Sequence, residues 1–230
     1  MDSELKPVDE ERFRANRFDL VSSLADDLAH EIKNPLNSII INLEVLKVRV
    51  TRGEAEGALD RASVIEHEAR RLHLMIDRLL QLLRPERATD ETFALDQVLD
   101  ELMPLVEARS RLARNTLAFD CDAALYVPMR RDLFKFAMLN ILTAVHERLG
   151  ENGGTLTLSC QADEREVRLD ITAVADPDSA PLAPPSAEYE RSLGVAAALL
   201  DSSGATMDAL PEGIRMVVPR VEAAQGDGLA

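Results

Sequence analysis

The sequence predicts an α+β protein: an N-terminal helical hairpin that forms a dimeric four-helix bundle, followed by an α/β sandwich. Three observations carry that expectation. Two long stretches before residue 84 repeat leucine and isoleucine at three- and four-residue steps, the period of an amphipathic helix. After Pro85 the period changes, and short runs rich in Thr, Val and Ile alternate with helical ones. Hydrophobic residues make up 46 % of the 230 residues but aromatics only 3 %, so Leu, Ala, Val and Ile must build the core.

Residues 1–18 form a charged N-terminal segment. The first helix then spans 19–50, with Leu20, Leu24, Leu28, Ile32, Leu36, Ile39, Leu43 and Leu46 on one side. Thr51-Arg52-Gly53 breaks it. The second helix spans 56–83, with Ala58, Ala62, Ile65, Ala69, Leu72, Ile76, Leu79 and Leu83 on one face, widened by Val64, Met75 and Leu82. Two helices of roughly 40 Å joined by a tight turn make an antiparallel hairpin, residues 19–86. One hairpin cannot bury two broad apolar faces and two can, so a homodimer is expected.

Arg84-Pro85-Glu86-Arg87 marks the boundary to a second domain, 87–221. Strands are expected at 92–95, 116–120, 155–160, 167–173 and 214–218, and helices at 95–112, 131–149 and 188–200. That order implies a largely antiparallel sheet covered on one face by helices. Residues 176–185 read as a Pro-rich loop and 222–230 as a flexible tail.

Lys plus Arg number 26 against 41 Asp plus Glu, a net charge of −15, which argues against a nucleic-acid binder. No run approaches the roughly eighteen apolar residues of a membrane span. The opening MDSELKPVDEERFRANRF lacks a signal peptide's apolar core. A cytoplasmic protein without a sensor domain or membrane partner is therefore expected. Cys121 and Cys160 make neither a disulfide framework nor a metal site on their own and read as buried small hydrophobes.

One residue departs from the first helix's logic. At about 100° per residue, His30 lies roughly 160–200° from the centre of the stripe, among Asp26, Lys33, Asn34 and Asn37. A lone exposed histidine is usually surface decoration. Here Glu31 follows it, and a carboxylate beside an imidazole can orient it or take its proton. Pro35 then removes the backbone bond to the Glu31 carbonyl, at about 3 kcal/mol in a helix interior. A kink one turn after an exposed His-Glu pair marks a site.

The run 24–36, ending in His30-Glu31-Ile32-Lys33-Asn34-Pro35-Leu36, resembles the H-box of two-component sensor histidine kinases. The second helix, with Glu68-Ala69-Arg70-Arg71-Leu72 leading to 79–83, looks like that family's second bundle helix. The resemblance implies that His30 accepts phosphate, that Glu31 orients or activates it, and that Asn34 positions water for phosphatase activity. Element order extends the resemblance to about residues 19–222, with 87–221 in the place of the family's ATPase domain. Its motifs are degraded there. In 138–145, which looks like the N-box, Asn140 matches the first Asn but Ala144 stands where the family carries Mg²⁺, and Ala supplies no oxygen to a hard cation. The D-x-G-x-G box is reduced to Asp176 without glycine, none occurring between Gly154 and Gly194. The third box survives as Ser192-Leu193-Gly194-Val195.

From these losses the expected function is a dimeric histidine phosphotransferase with a degenerate ATPase-like domain. It would relay phosphate through His30 to or from a response-regulator receiver aspartate without binding ATP itself. No intrinsic cofactor is expected, with Mg²⁺ supplied by the receiver, and an upstream hybrid kinase is a further partner. Lys33, Asn37, Ile41, Val45 and Val48 share the histidine's side of the helix and are the candidate docking surface. The alternatives are a cytoplasmic sensor histidine kinase that still autophosphorylates, and a pseudokinase scaffold or phosphatase of a response regulator.

Overall fold

In the computed structural model the described residues are 10–83, 92–121, 125–150, 153–201 and 203–221. The hairpin is α1 (Glu10–Arg52) and α2 (Ala55–Leu83). Gly53 turns between them at φ +77°, a conformation glycine adopts without cost, and its N–H donates to the Val50 carbonyl at 3.1 Å. Helix α1 begins earlier than the periodicity indicates, because 10–18 (EERFRANRF) holds no Gly or Pro and so continues the helix. No described helix is long and apolar enough to cross a membrane.

The chain divides into two compact units, one being Val21–Pro85 and the other the remainder, including described residues 10–20. In the second unit follow β1 (Thr92–Ala94), α3 (Leu95–Leu112), β2 (Thr116–Cys121), β3 (Tyr126–Pro128) and α4 (Arg131–Glu147). Then come β4 (Gly154–Ala162), β5 (Glu166–Ala175), α5 (Ala187–Asp201), β6 (Thr206–Leu210) and β7 (Gly213–Pro219). Strands β1 and β3 pair antiparallel. The five-stranded sheet has the order β2-β4-β5-β7-β6, with β2 parallel to β4 and every other pair antiparallel. The α+β class and the largely antiparallel sheet are as the sequence predicts. Strands β3 and β6 are additions: one has three residues, and T-M-D-A-L in the other alternates too weakly to register.

Alternation builds the core. Leu156 and Leu158 of β4, Val167, Leu169 and Ile171 of β5, and Ile214, Met216 and Val218 of β7 are buried on one sheet face. Across the register pair Asp170↔Arg215, the arginine makes two bonds of 2.7 Å to the carboxylate, which holds Asp170 below the usual carboxylate range. Helix α4 lies deepest, and its polar side chains find partners on other elements. Lys135 pairs with Glu101 of α3 at 2.9 Å, and Arg131 with the same carboxylate at 2.6 Å. Burial pushes Glu101 up, but the bonds from Lys135 and Arg131 outweigh it and keep the carboxyl ionised below its ordinary range. Asn115 donates to the Gly150 carbonyl at 3.1 Å and lies 3.3 Å from His146 Nε2.

The cysteines correct the sequence reading. Cys121 of β2 and Cys160 of β4 face each other in the parallel register and are joined in a disulfide, so the described residues hold no free thiol. Counting two cysteines 39 positions apart cannot reveal that strand register makes them neighbours.

Two expectations follow from this packing. A Cβ on Gly213 would overlap the Ile171 carbonyl oxygen and crowd the Thr172 backbone. Gly213→Ala is expected to lower stability by roughly 2–4 kcal/mol, read by urea denaturation. Burial first, and the Arg109 charge second, push the His146 imidazole down from 6.5 to about 4. Between those values the unfolded chain binds the extra proton. Stability should therefore fall as pH drops through that window, by up to about 3 kcal/mol. His146→Gln should flatten this part of the denaturation-midpoint profile relative to the parent.

Candidate functional site

The site is a stretch of α1. His30 and Glu31 lie within the helix, and their side chains are outside the described ones. Pro35 follows inside the same helix and is buried, so its ring packs rather than breaking the element. At about 100° per residue, positions 33, 34, 37, 41, 45 and 48 all fall within roughly 60° of position 30. The structure leaves that side open in the single chain: Lys33, Asn34 and Asn37 are exposed, Ile41 is 60 % and Val48 49 % exposed, and Val45 is half-buried. Val45 and Val48 line a shallow groove with Glu44, Arg49, Arg52 and Glu54. The groove has an apolar floor of Val45 and Val48 and a charged rim.

What holds the helix there is one buried polar contact. Asn42 is 8 % exposed and donates to the Ser38 carbonyl at 2.8 Å, while its own carbonyl accepts from Arg61 of α2 at 3.0 Å. The bond ties α1 to α2 between two exposed apolar stretches. Leu36, Leu43, Leu59, Leu74, Ile76 and Leu80 stay 40–71 % exposed in the single chain. The sequence reading missed Arg61, whose side chain carries no signal of its partner.

In the second unit, Asn140 of α4 is fully buried. Its Nδ2 donates to the Phe136 carbonyl at 2.8 Å and to Asn16 Oδ1 at 2.9 Å, and its Oδ1 accepts from Asn16 Nδ2 at 2.9 Å. Asn16 was also missed, although Phe13, Asn16, Arg17, Leu20 and Leu24 continue the helical spacing back into the N-terminal segment. Ala144, one turn further along α4, is 1 % exposed and offers no oxygen. The described residues hold no group of three or more His, Cys, Asp or Glu arranged for a cation.

At the end of β5, Asp176 donates its N–H to the Gly153 carbonyl at 3.4 Å, and Gly153, at φ +88°, lies so close that a Cβ there would sit 3.0 Å from Asp176 Oδ2. A Cβ on Gly154 would crowd the Val174 carbonyl at 2.6 Å. The loop after Asp176 is anchored: Ala183 donates to the Arg148 carbonyl at 2.8 Å, and Ser186 donates to Glu147 at 2.8 Å while capping α5 through the Tyr189 N–H.

Comparison with known proteins bears on these two units. Residues 20–88 match the family model of the His Kinase A (phospho-acceptor) domain. The chain is similar to sporulation kinase D of Bacillus subtilis (strain 168), 28 % identical over 159 residues, 68 % of this chain and 31 % of that protein. It is also similar to sensor histidine kinase ZraS of Klebsiella oxytoca, 32 % identical over 151 residues, 64 % of this chain and 32 % of that one. The chain thus spans about a third of the length of the curated relatives it matches. Among solved structures, the catalytic domain of histidine kinase ThkA superposes with a TM-score of 0.46 at 19 % identity, covering 56 % of this chain and 95 % of that one.

The comparisons correct the functional expectation. A phosphotransferase without ATP binding rested on the degraded motifs of the second unit, yet the relatives are kinases. An alignment of 159 residues is too long to fit within residues 1–88 and so runs into that unit.

The hairpin contact is directly testable. Arg61→Ala leaves the buried Asn42 carbonyl without its partner, which should destabilise the hairpin by about 1–2 kcal/mol. Thermal unfolding of the Arg61→Ala and Asn42→Ala single variants and their double variant should show non-additive losses.

Proposed function

We propose that this chain is a sensor histidine kinase of the two-component type, which phosphorylates its own His30 from ATP and passes the phosphoryl group to a receiver aspartate of a response regulator. The observation that carries the reading is the H-E-I-K-N-P-L run at 30–36, inside the phospho-acceptor match and on the side of α1 left open by the hairpin. An imidazole nitrogen of His30 attacks the γ-phosphorus, and the bond to the β-phosphate oxygen breaks as ADP leaves with its electron pair. Glu31 takes the proton released from the ring. The phosphohistidine then meets a receiver carboxylate: the P–N bond breaks, a P–O bond forms, and the imidazole regains a proton. An unperturbed imidazole is largely neutral at pH 7 and so is available as a nucleophile.

The remaining residues take roles around that step. Lys33, Asn37, Ile41, Val45 and Val48 form the docking face for the receiver, which brings the Mg²⁺ for the second transfer. Asn34 is placed to orient a water against the receiver's aspartyl phosphate, a phosphatase branch of the same site. The exposed leucines and isoleucines of α1 and α2 support a homodimer, since a second hairpin would cover them. In the second unit we assign Asn140 of α4 and Asp176 at the end of β5 to the nucleotide.

Purified protein incubated with γ-labelled ATP and Mg²⁺ should acquire a phosphoryl label that is acid-labile and base-stable. His30→Gln should reduce it at least a hundredfold. A parent protein that takes no label, under conditions where it binds a phosphorylated receiver, would overturn the kinase reading.

A further inference from the structure

Asn140 is assigned above to the nucleotide, yet no part of it reaches solvent. Asn16, in the first turns of α1, lies against it. Both amide hydrogens of Asn140 are committed, one to the Phe136 carbonyl and one to Asn16, and its oxygen accepts from Asn16 in return. One residue on, the Arg17 guanidinium stacks 5.1 Å from the centre of the Phe136 ring, one turn before Asn140 on α4. Adjacent residues of α1 thus grip two successive turns of α4. The rest of the segment is consistent with a single docked face: Leu20 is 6 % exposed, whereas Glu11, Arg14, Ala15, Phe18 and Asp19 are exposed.

We infer that residues 10–20 of α1 are an autoinhibitory clamp on α4, and that nucleotide reaches Asn140 only when the Asn16–Asn140 amide pair opens. The inference rests on the kinase reading and adds its regulation. A ligand that needs the Asn140 amide competes with two hydrogen bonds already made, so its apparent affinity is lowered by the fraction of molecules that are closed.

Asn16→Ala removes the lock without touching α4, and two measurements test it. Hydrogen exchange of the full chain without nucleotide should show residues 10–20 exchanging about tenfold faster in the variant, and the remainder of the second unit unchanged. Titration of Mg²⁺ with a non-hydrolysable ATP analogue should then give an apparent Kd about tenfold tighter for Asn16→Ala than for the parent. Unchanged exchange overturns the clamp whatever happens with nucleotide. Faster exchange with equal Kd shows a contact that does not gate the site, which also overturns it. A weaker Kd in the variant overturns it in the other direction, by making Asn16 a nucleotide ligand. Faster exchange with no binding by either protein removes the nucleotide assignment of Asn140, and the gating with it.

Discussion

The burial of α4 on every side is the constraint from which most of the second unit follows. Thirteen of its seventeen residues are buried, and three of them are polar or ionisable. A helix in that position has no water to satisfy such groups, so each must be met by another element. Lys135 is met by Glu101 of α3, His146 stays neutral beside Asn115 at the start of β2, and Asn140 is met by Asn16 of α1. These contacts tie the helix on three sides. Remove any partner and a polar group is stranded in the core, which costs more than the bond itself contributes.

The hairpin obeys a different rule. The Asn42–Arg61 bond ties α1 to α2, and the hairpin leaves broad apolar surface exposed in one chain. Residues 33, 34 and 37 of α1 are exposed, while Pro35 between them is buried within a helix that continues past it.

Legibility differed between elements for physical reasons. Both hairpin helices, three further helices and five strands could be read from a period of 3.6 or 2 or from their β-branched residues. Strand β6 is an edge strand held by β7 rather than by its own pattern. The early start of α1 was hidden because residues 10–18 are charged, and charge says nothing against a helix. The residues at Ala144 and in the loop after Asp176 were read as they stand, but the loss of ATP binding drawn from them is contradicted by relatives that are kinases.

The sequence by itself determined the H-E-I-K-N-P-L run at 30–36, the hairpin that carries it and the α+β class, since each is a local pattern of spacing and residue type. Only the tertiary structure decided which residues meet across the chain: Cys121 with Cys160, Gly153 with Asp176, Arg61 with Asn42 and Asn16 with Asn140. These pairs lie 19 to 124 positions apart. Partners so distant leave no periodic trace, because each is chosen by the register of strands and the packing of helices rather than by its neighbours in the chain.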